Sequence, residues 1–159
     1  MLARRAVLWL LPAWAASGAA AWEKSEADLR AAAREIFRRV NQERSRHGLG
    51  ALEWDERLAA EARRHSYNMV ARWFFAHQDP LRGNLSKRLA SSGILWHSCA
   101  ENILNMRGYP DLASSAVEGW LRSPGHRENM LAPRFTRTGV GAVLRVDGTC
   151  FVTQDFIKP

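Results

Sequence analysis

Five histidines, two cysteines and a handful of serines and acids are the residues of this 159-residue chain with chemistry to offer. Their spacing decides how much. His47, His65, His77, His97 and His126 form no His-Glu-x-x-His pair, so no local zinc signature is present. Cys99 and Cys150 lack the Cys-x-x-Cys spacing of a redox pair, and neither opens a helix where a thiolate would be favoured. Ser98 and Ser123 lie near histidines, yet no Gly-x-Ser-x-Gly elbow surrounds either, which argues against a serine hydrolase. His47 precedes a glycine and His65 falls on an apolar helix face, and both read as structural; His97 stands close to Cys99 in a strand-like segment and is a weak ligand candidate.

The first 21 residues set the compartment. Arg4 and Arg5 precede an apolar run from Ala6 to Ala16, and Gly18-Ala19-Ala20-Ala21 supplies small residues for a signal peptidase, the pattern of a secretory leader over residues 1–21. The run is shorter than the ~20 residues a bilayer span needs, and Pro12 interrupts it; no later segment would cross a membrane. Cleavage leaves 21 basic against 16 acidic side chains, a mild surplus that suits a solvated surface or anionic envelope material. No nucleic-acid module is visible. The chain is expected to be exported, periplasmic or extracellular. There an isolated cysteine pair tends to be joined, so a Cys99–Cys150 disulfide is expected, with two buried free thiols as the alternative. It would close a loop of about 50 residues and contribute roughly 4 kcal/mol.

The elements that must position these groups follow from periodicity. From Asp28 to Arg46, Leu29, Ala33, Ile36 and Val40 recur at helical spacing. A second helix opens at Asp55, a good N-cap, and carries Leu58, Ala62, His65 and Met69 on one face until about Trp73. A short helix is expected over 85–90, a strand over 95–104, and a third long helix from Pro110-Asp111 through Leu112, Ala116 and Trp120. Ser123-Pro124-Gly125 breaks that helix, and a loop with short helical turns should run on to Pro133. Val140, Ala142, Leu144 and Val146 alternate before Asp147-Gly148, which predicts a hairpin with a two-residue turn and Val146 opposite Thr149. That register places Cys150, Val152, Gln154 and Phe156 on one face, against Gly141 and Val143. The tryptophans Trp54, Trp73, Trp96 and Trp120 read chiefly as core, with one or two on a cleft rim. Helices with one apolar face each, and a sheet built partly from distant strands, make an α+β layered domain over residues 22–159.

Several phrases in order resemble the CAP superfamily of cysteine-rich secretory, antigen 5 and pathogenesis-related class 1 proteins, especially its short bacterial members. They are Val40-Asn41 with Arg44, Gly48-Leu49, Leu52-Glu53-Trp54-Asp55, Phe75-Ala76-His77, Ala100-Glu101-Asn102-Ile103 and Trp120-Leu121-Arg122-Ser123-Pro124-Gly125-His126-Arg127. Asn129-Met130-Leu131, Phe135, Gly139-Val140-Gly141 and Thr153-Gln154-Asp155-Phe156 complete the series. The resemblance implies a three-layer α-β-α sandwich with a central antiparallel sheet and a cleft lined by two histidines and two glutamates, the histidines able to hold a divalent metal, usually zinc. Carried over position by position, it assigns His77, Glu101 and His126. At the second glutamate position stands Ser123, and neither Glu118 nor Glu128 matches the motif.

Two neutral imidazoles with a carboxylate beside them are a sensible partial zinc site with positions left for water or ligand. The expectation is a non-enzymatic binding module whose cleft holds a metal, a small apolar ligand, a lipid or an envelope polymer. The alternative is a zinc-dependent hydrolase of peptide, ester or cell-wall substrates, with Glu101 as its catalytic base. A purely structural hydrogen-bonded network of the same three residues stands beside both.

Overall fold

The computed structural model describes residues 24–159; the expected leader, residues 1–21, lies outside them. Helix α1, Glu26–Arg46, starts at Ser25, whose hydroxyl accepts from the Asp28 N–H while the Asp28 carboxylate takes the Ser25 N–H, a reciprocal cap that satisfies two otherwise orphaned donors. Strand β1 is only Glu53–Trp54. Helix α2, Glu56–Ala71, begins where the sequence places it, with Asp55 accepting from the Arg57 and Leu58 N–H groups. Helix α3 spans Leu85–Ser91, strand β2 Ser98–Arg107, helix α4 Leu112–Arg122, helix α5 Pro124–Leu131, strand β3 Arg137–Leu144 and strand β4 Thr149–Lys158.

The sheet order is β1-β3-β4-β2, with β3, β4 and β2 antiparallel and the two residues of β1 added in parallel at one edge. Alternation along β4 sorts the core. Cys150, Val152 and Phe156 face α1, α4 and α5, where they meet Ile36, Val40, Trp120 and Phe135. Phe151 and Ile157 face the opposite way, toward Met69 of α2 and Leu85 and Leu89 of α3. The result is the α-β-α sandwich, an α+β arrangement in which both sheet faces are covered.

Four details differ from the sequence reading. The hairpin pairs Leu144 with Cys150, and the Arg145 carbonyl accepts from the Gly148 N–H across a three-residue loop in which Gly148 has φ 83°. Glycine supplies the left-handed position that such a loop needs, and the register therefore shifts by one residue, putting Val140, Ala142 and Leu144 opposite Gln154, Val152 and Cys150. Strand β2 begins at Ser98 instead of Leu95, because its limits are set by pairing with Lys158 of β4. The segment after Ser123 is a full helix, with Pro124 in the first turn, where a missing N–H costs nothing. Among the tryptophans, Trp120 is core and Trp54 and Trp96 are half-buried, but Trp73 is 72% exposed and follows α2 at φ 56°.

The expected Cys99–Cys150 disulfide is absent, and both thiols are free. Cys99 pairs with Ile157 and Cys150 with Met106, so seven residues of β4, about 23 Å, separate them along the strand. They also project from opposite faces of the sheet. A disulfide needs Cα atoms within roughly 7 Å. Burial pushes the Cys150 thiol up to about 11, which makes it inert as a nucleophile.

Candidate functional site

Strand β2 forms the open edge of the sheet, and the two helical layers reach around it from either side. Glu101 points to the α2 and α3 side, as Cys99 and Ile103 do, while Asn102 points to the α5 side. His77, on the loop after α2, donates from Nδ1 to Glu101 Oε1 at 2.9 Å. On the other side Asn102 donates to the His126 carbonyl at 3.0 Å, and Asn129 donates to the Asn102 side chain at 3.0 Å and to the Glu101 carbonyl at 3.4 Å. These bonds fasten α5 to the strand beside Glu101. His126 is half-buried; burial depresses its pKa, and the nearby His77 lowers it further. The edge thus brings His77, Glu101 and His126 into one neighbourhood from positions 24 and 25 residues apart in the chain.

Glu101 is only 7% exposed and both its carboxylate oxygens are engaged, Oε1 by His77 and Oε2 by the guanidinium of Arg88. Arg88 is fully buried on α3 and also donates to the carbonyls of His77 at 2.8 Å and Gly83 at 3.3 Å, so one side chain fixes both the carboxylate and the backbone of the histidine it serves. His65 of α2 supports the same loop from below, donating from Nε2 to the Ala76 carbonyl at 3.0 Å, with Asp79 and Glu101 each 3.9 Å from its ring. Burial holds the His65 imidazole below its usual pKa against the pull of Glu101.

Asp155 of β4 lies directly across from Glu101 and is fully buried. Neither of its oxygens has a donor among the described residues. Burial and the neighbouring Glu101 charge push its pKa well above the carboxylate range, so the group keeps its proton and no second negative charge is buried beside Glu101. The fourth corner of the expected set stays a serine. Ser123 caps α5 without a side-chain bond, and Glu118 accepts from Ser114 and faces Arg122 on the exposed side of α4.

The arrangement suits a metal only in part. Among the described residues no three His, Cys, Asp or Glu side chains stand close enough together to hold an ion. What the edge offers is a pair of imidazoles, one of them with Nδ1 committed to a carboxylate and Nε2 left free. That is the outer-sphere support a histidine ligand commonly has. Sequence reasoning missed Arg88 and the role of Asp155. The signal for Arg88 was its place between Leu85 and Leu89 on the apolar side of α3; for Asp155 it was an acid inside a run of otherwise apolar and uncharged strand residues.

The sequence profile of the cysteine-rich secretory protein family, CAP, matches residues 37–156. The uncharacterised Bacillus subtilis protein YkwD is 35% identical over 143 residues, covering 90% of this chain and 49% of its own length. An extracellular protein from Bacillus anthracis that contains an SCP domain shares 33% identity and superposes with a TM-score of 0.75 over 86% of this chain and 45% of that one. An outer surface protein of Borrelia burgdorferi has the same fold at 17% identity, with a TM-score of 0.74 over 82% of this chain and 95% of its own. This chain spans about half the length of the first two relatives.

Proposed function

Given that this chain belongs to the cysteine-rich secretory protein family, we propose that it is an exported, non-enzymatic binding module whose His77–His126 pair holds a divalent metal or small ligand at the open edge of β2. The observation that carries this reading is the state of Glu101. Its carboxylate is buried and committed to Arg88 and His77, so it orients an imidazole and is not free to take a proton from water. That favours binding over the hydrolase alternative. His77 Nε2 and a neutral His126 are the two nitrogen ligands; zinc, when bound, would supply a Lewis acid with open positions for water or the carboxylate of a ligand. Glu101 holds the tautomer, and Arg88 holds Glu101.

Zinc calorimetry on the exported protein tests this directly. Wild-type protein is expected to bind, with either His77→Ala or His126→Ala largely abolishing the heat and Glu101→Gln weakening affinity by about 10- to 100-fold while the fold is retained. Equal affinity in the wild type and both histidine variants would overturn the assignment. Hydrolysis of any member of a peptide, ester and peptidoglycan panel, lost in Glu101→Gln, would instead favour the enzyme.

A further inference from the structure

At the opposite edge of the sheet, β1 covers only Arg137 and Thr138 of β3, and beyond them α1 and α2 close over a cavity of about 320 Å³ floored by Trp54 and Val140. Three guanidiniums line it, Arg30 and Arg34 from α1 and Arg63 from α2, with space left by the short side chains of Ala33 and Ala59. Two carboxylates answer them. Glu26 meets Arg63 at 2.7 Å and Arg30 at 3.3 Å, and Glu56 meets Arg34, which leaves one positive charge in surplus. Arg34 lies 4.0 Å above the Trp54 ring, and Phe37 meets that ring edge-on at 5.4 Å, so the indole is fixed from two directions.

Apart from these arginines and Glu56, the wall is apolar, formed by Ala33, Trp54, Ala59, Ala60 and Val140. Trp54 Nε1 and Arg63 Nε are both buried, and neither has an acceptor among the described residues. Neither atom has surface that a ligand could touch, so the donors open to one are the exposed guanidinium termini. A cavity lined by three arginines with one positive charge in surplus is complementary to an oxyanion. The planar forks of arginine match a phosphate better than any other common anion. The volume falls in the range of small-molecule sites, so there is room for organic substance beyond the anion itself.

We propose that this cavity is a second ligand site, which takes the phosphate of a phosphoester between Arg30, Arg34 and Arg63 above the Trp54 ring. It is independent of the His77 edge. The shared chemistry is a phosphoester oxyanion, which a free phosphate ester or a phospholipid headgroup can each supply.

The test uses two probes on the exported protein: calorimetric titration with inorganic phosphate, and co-sedimentation with phosphatidylcholine vesicles with and without phosphatidic acid. Arg63→Gln and Arg34→Gln should each weaken binding by about tenfold. Glu56→Gln removes a competing carboxylate and should tighten binding, an effect of opposite sign that unfolding cannot mimic. His77→Ala should change nothing. Phosphate binding in solution that follows these variants identifies a soluble ester, and binding only to acidic vesicles with the same variant pattern identifies a lipid headgroup. No binding of either probe, or wild-type affinity in folded Arg34→Gln and Arg63→Gln, overturns the proposal.

Discussion

Arg88 donates at once to the Glu101 carboxylate and to the carbonyls of His77 and Gly83, with Glu61 another 3.5 Å from its Nε, and Arg88, Glu101 and Glu61 are all buried. Removing one partner of a buried ion pair leaves the other charge uncompensated. Arg88→Met is therefore expected to lower stability by about 3–5 kcal/mol, read as a drop in the urea midpoint. The neighbouring titrations act with opposite signs. His65 is kept neutral in the fold by burial, whereas the unfolded chain takes up a proton below about pH 6.5, so the stability it contributes is complete above that value and is lost as the pH falls through it. The urea midpoint should therefore fall between about pH 7.5 and pH 5, and fall less in His65→Gln; His126, depressed for the same reason, leaves the remainder. Asp155 keeps its proton in the fold but loses it when unfolded above about pH 3.8, so its cost grows as the pH rises. Asp155→Asn should raise the midpoint at neutral pH and leave it unchanged near pH 3.

Between elements, α2 lies directly against the β3 backbone at two glycines. A Cβ on Gly141 would stand 2.1 Å from the Arg63 nitrogen and 2.2 Å from its Cα, and one on Gly139 would stand 2.1 Å from the Ala59 nitrogen. These are backbone atoms of a helix and cannot swing aside. Gly141→Ala is expected to cost about 3 kcal/mol or more, or to prevent accumulation of folded protein, while Gly125→Ala, with open space around it, should change stability by no more than about 1 kcal/mol. Thermal melting of the two variants beside the wild type checks the contrast. The tight seam matters for both sites, because the middle of α2 bears both His65, which supports the His77 loop, and Arg63, which lines the cavity with Trp54. A helix held off the sheet by one methyl group would displace both.

For the whole molecule, the sandwich holds without a covalent staple. Each of its three buried clusters includes a residue of β4, one cluster on the face toward α1, α4 and α5 and two on the face toward α2 and α3. Reductant is accordingly expected to leave both the intact mass and the melting temperature unchanged. Alkylation under native conditions should modify half-buried Cys99 well before buried Cys150. A mass lower by two hydrogens under oxidising conditions, restored by reductant, would contradict the separation of the two thiols by the sheet. No helix among the described residues is long and apolar enough to cross a membrane.

What the sequence determined is whatever is written at short range. The starts of α2 and α4 are marked by side chains that cap their own backbone, at Asp55 and Asp111, and helical or alternating periodicity shows which side of an element is buried. The ordered motifs were sufficient to indicate His77, Glu101 and His126 through family resemblance. The hairpin register was missed by one residue because a three-residue loop and a two-residue turn can both be built around Asp147-Gly148, and only the fit of β3 to β4 selects between them. The disulfide was misread because compartment says that thiols tend to pair, while pairing requires proximity, and here the sheet sets the thiols on opposite faces. Arg88 and Asp155 acquired their roles only from the tertiary structure. Their partners come from α2, α3, β2 and the loop at His77, segments whose meeting depends on a sheet that joins residue 101 to residue 155, and local patterning carries no information about a contact of that range.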